Sequence, residues 1–411
     1  MTADLALRGG PRTRSEPFPA WPPASARTRD ALTAAHDQRC WWQDGNSAAE
    51  DLEAWLRAEF GRPAIATSSG TTALELALRA LGIGPGDEVL VPATTFISTA
   101  TAVTRAGAAP VPVDVCPGTL TLDVDHADTA VTRRTRAVIC VHLAGHPADL
   151  PAVAAFASRH GLAVIEDSAQ AVTAAWDHAR VGTAGDAAIL SFHAAKLLPG
   201  GEGGAILLRE AAAARRAELL ANCGRPRGSG SYAHEVIGTN ARISVFAAAL
   251  VRAQTGALGQ LQQLREGRRA QLAAALAGAG HGGLLIGPHP RVTRHDYYAV
   301  LLRAPAALAE RGVHAAALAA ALTAEGIPAK ALFSPWQTTP AYIDDPRCGV
   351  IATPSAEHAA ATVVALPHPL LLDPHVAEDT AAALAKVTAG ADDLLTWQHS
   401  QQLALSPGMR P

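Results

Sequence analysis

Short apolar runs alternate with stretches of helical spacing between about residues 60 and 208, and this rhythm restricts the fold more than any other feature. Each run is bounded by Gly, Pro or Asp. The runs are EVLVP (88–92), APVPVDV (108–114), AVICVHL (137–143), LAVIED (162–167), AAILSF (187–192) and GAILL (204–208). Strand, helix and strand in this order predict an α/β fold, with a mostly parallel sheet covered by helices on both faces. Ligands of such a sheet bind at the carboxyl ends of its strands.

The alternation stops after residue 208, which predicts a second unit. A long helical pattern runs from about 242 to 276, and a smaller α/β pattern follows it. The first forty residues are polar and Pro-rich, and the last twenty are polar. The predicted organisation is an N-terminal arm (1–40), a large domain (41–255), a small C-terminal domain (256–390) and a tail (391–411).

Composition excludes several classes of protein. Hydrophobic residues make up 49% of the chain and charged residues 17%, so a sizeable core can be buried. The formal net charge of −3 gives no basic surplus for nucleic acid or an anionic membrane. Neither a membrane span nor a signal peptide is apparent. The five cysteines show no CxxC spacing, which indicates reduced thiols and no zinc site. We expect a cytoplasmic protein that has no metal.

Four segments draw attention, although each has an ordinary interpretation when taken alone. TSSGTTALELAL (67–78) opens a helix with small hydroxyl residues and a glycine, which suits a phosphate but also an ordinary helix cap. LAVIEDSAQA (162–171) ends a strand in two acids, and SFHAAKLLPGGEGGAILL (191–208) carries a lysine before a Gly-rich turn. GTNARISVFAAALVRAQ (238–254) places Asn and Arg ahead of an apolar helix.

The order of these segments is more informative than any one of them. An anion site precedes an acid at a strand end, and Lys196 follows Asp167 by 29 residues. Pyridoxal 5′-phosphate needs a phosphate cradle, a lysine for its Schiff base and a carboxylate that faces its pyridine nitrogen. The carboxylate favours the protonated ring nitrogen, because an opposite charge stabilises the charged form. The sequence therefore predicts this cofactor.

The same motifs resemble those of the DegT/StrS family of fold-type-I aminotransferases, over roughly residues 15–375. SGTTALELAL, GDEVLVPATTFIS, VHLAGHPADL, IEDSAQA, SFHAAK and GEGGA occur in the family's order and spacing. The resemblance implies that Lys196 is the catalytic Schiff-base lysine and that Asp167 pairs with the pyridine nitrogen. It also implies a homodimer with shared active sites. The other cofactor-binding residues that it implies are Gln170 at the 3-hydroxyl side, Gly70, Thr71 and Ser191 at the phosphate, Phe96 stacked on the ring, and Asn240 reaching the phosphate of the neighbouring subunit.

Finer motifs resemble one branch, that of 3-amino-5-hydroxybenzoate synthase and the aminocyclitol aminotransferases. These motifs are CWWQDG (40–45), NCGRPR (222–227) and HDYYAVLLR (295–303). Candidate substrate residues lie in these motifs, in the lysine segment and beside Asn240, although packing or solvated roles are the alternatives. They are Trp42, His193, Arg225, Arg242, His295 and Tyr298.

Two positions depart from the family pattern and leave the reaction open. Val245 stands where an acid is expected, and Gly200 stands where a hydroxyl residue often precedes GEGG. The first hypothesis is transfer of an amino group from L-glutamine or L-glutamate to a keto-cyclitol, keto-sugar or cyclohexenone acid in natural-product biosynthesis. The second keeps the cofactor but performs aromatising dehydration or oxidative decarboxylation. The third is a non-enzymatic regulator or scaffold, against which Lys196 and Asp167 argue.

Overall fold

The computed structural model describes residues 4–43, 45, 47–228, 232–348 and 351–405, with side chains to residue 401. Asp44 of the CWWQDG motif and residues 406–411 of the predicted tail lie outside the described residues. The strands are β1 (Ala64–Thr67), β2 (Glu88–Pro92), β3 (Ala109–Val113), β4 (Thr135–Val141), β5 (Ala163–Asp167), β6 (Ala175–Trp176), β7 (Ala179–Arg180), β8 (Ala187–Ser191), β9 (Gly204–Leu208), β10 (Val292–Arg294), β11 (Ala299–Arg303), β12 (Lys330–Ala331) and β13 (Val363–Pro367). The helices are α1 (Ala26–Asp37), α2 (Ala48–Phe60), α3 (Gly70–Ala80), α4 (Ser98–Arg105), α5 (Val124–Thr129), α6 (Leu150–His160), α7 (Ala211–Ala221), α8 (Val245–Gln254), α9 (Leu258–Gly278), α10 (Ala306–Ala309), α11 (Ala315–Ala324), α12 (Pro354–Thr362), α13 (Val376–Ala389) and α14 (Ala391–Leu405).

The central sheet has seven strands in the order β1-β9-β8-β5-β4-β2-β3. The β2–β3, β2–β4, β4–β5 and β5–β8 pairs are parallel, whereas β9 runs antiparallel to both β8 and β1. The predicted α/β fold with a mostly parallel sheet is therefore confirmed. Because most strands run the same way, their carboxyl ends share one edge, where ligands of such sheets bind.

Alternate residues of each strand enter different cores, because successive side chains of a strand point to opposite faces. Ile139 packs in the core beneath α3, α4 and α7, whereas Val138 and Cys140 pack in the core beneath α6. Both faces of the strands are thus buried, which explains why their sequences are continuous apolar runs rather than alternating ones.

The second unit has its own sheet, in the order β11-β13-β12, and its own core. The two β-pairs of this sheet are antiparallel. Leu318, Leu322 and Leu384 of its helices are almost fully buried against it. We propose that residues 41–255 form the large domain and that residues 256–390 form the small domain.

Two predicted segments differ from the structure. The helical pattern of 242–276 is not one helix, because α8 ends at Gln254 and a 3-10 turn with Gly256 separates it from α9. The predicted polar tail is also wrong over 391–405, which form helix α14. Leu394 anchors this helix in the core of the small domain, where it is fully buried. The few apolar residues of the segment lie on one side of the helix. Because most of the segment is polar, its composition does not reveal this pattern.

The N-terminal arm is attached to both units. Leu5 is fully buried in the core of the small domain, and α1 packs against α8. Arg14 binds Asp373 and Asp379 with its guanidinium group, at 2.8 and 2.6 Å. Throughout the described residues, each helix is too short or too polar to cross a membrane.

Candidate active site

Two neighbouring strands of the central sheet place the predicted lysine and acid at the same edge. β5 ends at Asp167 and β8 ends at Ser191, and the two strands are parallel. Lys196 follows Ser191 by five residues, in a loop that leads back to β9. The side chains of Lys196 and Asp167 interact electrostatically. The sheet topology therefore brings together the lysine and the carboxylate that the sequence predicts to contact the cofactor.

The predicted phosphate residues form a tight backbone site at the start of α3. A Cβ atom on Gly70 would lie 2.9 Å from Ser191 Cβ, and one on Gly204 would lie 2.6 Å from the Gly70 nitrogen. The side chain of Ser69 caps the helix by accepting a hydrogen bond from Thr72 N at 3.1 Å. Among the described residues, no hydrogen bond uses the N–H of Gly70 or Thr71. These N–H groups, at the positive end of the helix dipole, are suited to an anion.

Asp167 is buried and receives one hydrogen bond at each carboxylate oxygen. Thr99 Oγ1 donates to Oδ2 at 3.0 Å, and Ala169 N donates to Oδ1 at 3.2 Å. The Thr99 hydroxyl also lies 2.9 Å from that of Thr95. Burial raises the pKa of Asp167, while these hydrogen bonds and the charge of Lys196 oppose the rise. A positively charged partner would favour the ionised form of this carboxyl group.

Substitution of Thr99 by Val should destabilise the protein, because it removes a donor from a buried carboxylate. We expect a loss of about 1.5–3 kcal/mol in the free energy of unfolding, the size of a hydrogen bond to a charged group. Urea denaturation measures this loss. Thr101→Val, on the same helix, is the control, because the Thr101 side chain has no hydrogen bond among the described residues. Equal stabilities of the two variants would contradict the assigned role of Thr99.

A buried histidine and a buried glutamate hold the end of β5 through hydrogen bonds. His142 Nδ1 accepts a hydrogen bond from Ala148 N at 3.0 Å, so the ring proton is on Nε2, which donates to Glu166 at 3.1 Å. Burial acts to raise the pKa of Glu166, but its hydrogen bonds from His142, Gly185 and Gly182 leave it lowered. His142 N also donates to the Asp167 carbonyl. Glu166 is therefore a structural neighbour of Asp167.

Lys196 lies in an aromatic environment. Its Nζ atom is 4.8 Å from the centre of the ring of Tyr298, one of the predicted substrate residues. Burial lowers the pKa of Lys196, and the charge of Asp167 opposes this shift. Trp21 Nε1 donates to the Lys196 carbonyl at 3.1 Å, and His368 Nε2 donates to the Ala195 carbonyl at 3.2 Å.

Gln170 and Phe96 occupy opposite kinds of environment. Gln170 is buried, and its Oε1 accepts a hydrogen bond from Ala144 N at 2.7 Å. This contact fixes the side chain and leaves its amide N–H groups to donate elsewhere. Phe96 is 54% exposed although it is a large apolar residue, and its ring lies 6.1 Å from that of Phe333. An exposed ring of this kind is available to stack on a planar ligand.

Arg242 and its neighbours form a second group of predicted residues. The guanidinium carbon of Arg242 lies 4.5 Å from the centre of the Trp42 ring, and its Nη1 donates to Asn222 at 3.0 Å. Asn240 is exposed and pairs with Asn222 through a β-bridge. Arg225 lies 5.5 Å from the centre of the Tyr232 ring.

The two predicted histidines have different surroundings. His193 is exposed in the lysine loop, its Nδ1 accepts from Ala195 N at 3.2 Å, and its Nε2 lies 3.9 Å from Glu202. His295 is buried, stacks on Tyr297 at 3.9 Å and meets His146 edge-on at 5.5 Å. Burial lowers the pKa of His295 well below its ordinary value. These contacts indicate packing, so they do not support the substrate role predicted for His295.

Both departures from the family pattern lie where α8 packs on the lysine loop. Val245 is buried in one apolar cluster with Leu197 and Leu198. A Cβ atom on Gly200 would lie 2.7 Å from Val251 Cγ2. An acid at 245 would therefore enter an apolar contact, and any side chain at 200 would require the helix or Val251 to shift.

Three side chains of the site have only weak signals in the sequence. Thr99 stands in an ordinary hydroxyl-rich segment, and Trp21 is one aromatic residue in a Pro-rich arm. His368 is one of sixteen histidines. The feature of the sequence that points to Thr99 is the hydroxyl-rich segment TTFIST (94–99), which follows a predicted strand.

The residues present fit a phosphorylated ring cofactor of the predicted kind. Gly70 and Gly204 let the start of α3 lie close to Ser191 and β9, and the N–H groups of Gly70 and Thr71, which no hydrogen bond uses among the described residues, can bind a phosphate. Asp167, fixed by two donors, can face a ring nitrogen. Ser168 Oγ is buried, has no hydrogen-bond partner among the residues that the structure describes, and lines a small cavity together with Gln170, Ser191 and Lys196. A polar group is thus already in place beside the lysine.

Known proteins resemble the chain over most of its length. Residues 24–385 match the DegT/DnrJ/EryC1/StrS aminotransferase family. The 3-amino-5-hydroxybenzoate synthase of Amycolatopsis mediterranei (strain S699) is 36% identical over 91% of this chain and 97% of its own. The L-glutamine:2-deoxy-scyllo-inosose aminotransferase of Micromonospora echinospora is 36% identical over 95% of this chain and 99% of its own.

Solved structures agree with these matches. The crystal structure of 3-amino-5-hydroxybenzoic acid synthase has a TM-score of 0.84 at 34% identity, over 92% of this chain and 100% of that one. A structure of DesI in the presence of its TDP-sugar product has a TM-score of 0.84 at 31% identity, over 97% and 99%. Because the family match covers residues 24–385 and these relatives are similar over nearly their whole length, this chain belongs to the DegT/DnrJ/EryC1/StrS aminotransferase family.

Proposed function

We propose that the protein is a pyridoxal 5′-phosphate-dependent aminotransferase that transfers an amino group from L-glutamine or L-glutamate to a cyclic keto substrate. The observation that carries the proposal is the placement of Lys196 and Asp167 at neighbouring strand ends, beside the open N–H groups of α3. Lys196, Asp167 and an anion site are the three parts that this cofactor requires.

Several residues of the chain have separate roles in the reaction. When bound, pyridoxal phosphate supplies a ring that withdraws electrons from the substrate carbon. Asp167 holds a proton at the ring nitrogen, and Thr99 keeps the carboxylate oriented for this task. Lys196 Nζ would take the proton from the α-carbon of the amino donor and return it at the carbon on the other side of the amino nitrogen, so that the nitrogen stays with the cofactor. Burial lowers the pKa of Lys196, so more of its amine is neutral and able to accept a proton.

The names of the relatives support the donor and the acceptor class. The relatives from Micromonospora echinospora and Streptomyces fradiae are named as L-glutamine:2-deoxy-scyllo-inosose aminotransferases, which act on a cyclic ketone. Arg242, over the Trp42 ring, offers a donor beside a flat apolar surface. Such a surface suits a ring-shaped acceptor with polar substituents. The apolar surroundings of Val245 disfavour a cationic one.

A donor and acceptor screen tests this function. The protein reconstituted with pyridoxal 5′-phosphate is incubated with L-glutamine, L-glutamate or L-alanine and with keto-cyclitols, keto-sugars or cyclohexenone acids. Mass spectrometry should detect an aminated ring with one of the first two donors. Consumption of an amino acid with loss of CO2, and no aminated ring, would contradict transamination.

Aromatising dehydration is a second candidate function. It is favoured by the similarity to 3-amino-5-hydroxybenzoate synthase, at 36% identity in sequence and a TM-score of 0.84 in structure. The same screen separates the two candidates, because dehydration of a cyclohexenone acid removes water and produces an aromatic ultraviolet spectrum. Amination without this spectrum supports the first function.

We also propose that the active protein is a homodimer in which Asn240 completes the partner's phosphate site. The exposure of Asn240, on a segment tied to β1 by the Ser68 N to Ala241 O hydrogen bond, supports this role. Asn240→Ala should weaken cofactor retention, and light scattering should show a dimer. A fully active monomer would contradict the proposal.

A mixed dimer gives the sharper test of shared sites. Lys196→Ala subunits and Asn240→Ala subunits, each impaired alone, should regain activity after they are unfolded and refolded together. One site of the mixed dimer then contains both Lys196 and Asn240 in their natural form. A mixture of Lys196→Ala with Lys196→Met subunits is the control and should stay inactive. No recovery in the first mixture, with mixed dimers present, means that the sites are not shared.

A further inference from the structure

The main chain around Lys196 is held by side chains from two distant parts of the protein. The Lys196 carbonyl accepts from Trp21 Nε1 at 3.1 Å, and the Ala195 carbonyl accepts from His368 Nε2 at 3.2 Å. Trp21 belongs to the N-terminal arm and His368 follows β13 in the small domain. The Trp21 and His368 rings meet edge-on at 4.6 Å. The two donors therefore form one cluster beneath consecutive peptide groups.

The lysine loop leaves these two carbonyls free for outside donors. Its internal main-chain hydrogen bonds use other groups. They are Phe192 N to Gly203 O, Ala194 N to Gly201 O and Lys196 N to His193 O, each at 2.8 Å, and Gly200 N to Phe192 O at 2.7 Å. The lysine side chain is long, so a small rotation of its peptide unit displaces Nζ considerably. Contacts to the flanking carbonyls thus control where the amine lies.

The donors are themselves firmly placed. Arg14 fixes the arm to the small domain through Asp373 and Asp379, and buried Glu325 accepts from Ala6 N at 2.8 Å. His368 N donates to the Tyr298 carbonyl at 3.1 Å, and it is the Tyr298 ring that faces Lys196 Nζ. One connected group therefore contacts the lysine at its main chain and at its amine.

We infer that Trp21 and His368 are positioning residues, through which the N-terminal arm and the small domain set the orientation of Lys196. The inference rests on the proposed function, because it assigns Lys196 the covalent role. It extends the active site to a Pro-rich arm that carries no motif of its own. Neither residue transfers a proton. Burial lowers the pKa of His368 to about 3, so its ring is neutral near pH 7.

Trp21→Phe tests the arm's part, because it keeps an aromatic ring and removes the N–H donor. The reconstituted full-length protein should still show the visible absorbance of a lysine-linked cofactor. When this absorbance is titrated with pH, however, the midpoint of the titration should shift. We expect kcat to fall about 3- to 10-fold, the effect of one lost hydrogen bond, with KM for L-glutamine unchanged. The groups that face Lys196 are Asp167, Tyr298 and His368, and all three remain.

Trp41→Phe is the matched control, because Trp41 Nε1 also donates to a carbonyl, that of His36 at 3.2 Å at the end of α1. It should leave the midpoint and kcat unchanged. His368→Leu should reproduce the Trp21→Phe effect, and His368→Gln, which keeps an N–H at a similar reach, should restore most of kcat.

Two results would overturn the inference. One is a Trp21→Phe protein with the midpoint and kcat of the Trp41→Phe control. The other is a general loss of cofactor and thermal stability in both His368 variants, without rescue by Gln, which would make the role merely structural. A wild-type protein without the visible band would instead contradict the proposed function itself.

Discussion

Lys196→Ala should abolish transamination while the protein stays folded. The variant loses the amine that attaches the cofactor and the base that moves the substrate proton. A positioned proton-transfer group alone contributes about 10²–10⁴-fold, so we expect a fall in kcat of about 10⁴-fold or more, with no visible lysine-linked band. Steady-state kinetics and absorbance measure the two effects. The truncated side chain is only half-buried, so stability should change little.

The chain offers a simple control, because its other two lysines are Lys330 and Lys386. Lys330 is exposed on β12, and Lys330→Ala should retain full activity. Borohydride reduction of the wild-type protein followed by peptide mapping should label Lys196. A label on Lys330 or Lys386 would show that the lysine has been wrongly assigned.

Asp167→Asn should reduce turnover far more than cofactor binding. An amide cannot hold the ring nitrogen protonated, whereas the phosphate contacts at α3 remain. Loss of an opposite charge in a closed site shifts a pKa by about 1–3 units, or about 1.4–4 kcal/mol, so kcat should fall about 10- to 10³-fold. Kinetics at saturating cofactor, together with the cofactor dissociation constant, separate turnover from binding.

Asp128→Asn controls for the chemical change, because Asp128 is exposed and pairs with His160 and Arg159 at the surface. Its kcat should equal that of the wild-type protein. Near-normal turnover in Asp167→Asn would contradict the role of this carboxylate. An equal loss of binding and turnover would mean that Asp167 mainly holds the cofactor in place.

Local sequence patterns predict most of the large domain and the centre of the site. Strands buried on both faces are continuous apolar runs, so β2, β4, β5, β8 and β9 stand out in the sequence. Their order implies a parallel sheet, and parallel strands bring Asp167 and Ser191 to one edge. The start of α3 is recognisable in the sequence as a hydroxyl-rich helix cap, and for this reason the sequence predicts an anion site there.

The outer part of the site depends on contacts between distant residues, which leave no local pattern. Trp21 and Lys196 are 175 positions apart, and His368 and Ala195 are 173 apart. A hydrogen bond from one side chain to a main-chain carbonyl does not change the hydrophobic spacing around either residue. His295 illustrates the converse, because its place in a branch motif predicts a substrate role while its contacts are those of a packed ring.

The half-reaction with the amino donor tests the central claim most directly. Wild-type protein reconstituted with pyridoxal 5′-phosphate is mixed with L-glutamine that carries ¹⁵N in its α-amino group, without an acceptor. If the protein is a transaminase, the visible band disappears and mass spectrometry of the denatured sample finds the amine form of the cofactor with one ¹⁵N. An unchanged band and unlabelled cofactor with L-glutamine, L-glutamate and L-alanine would contradict this claim.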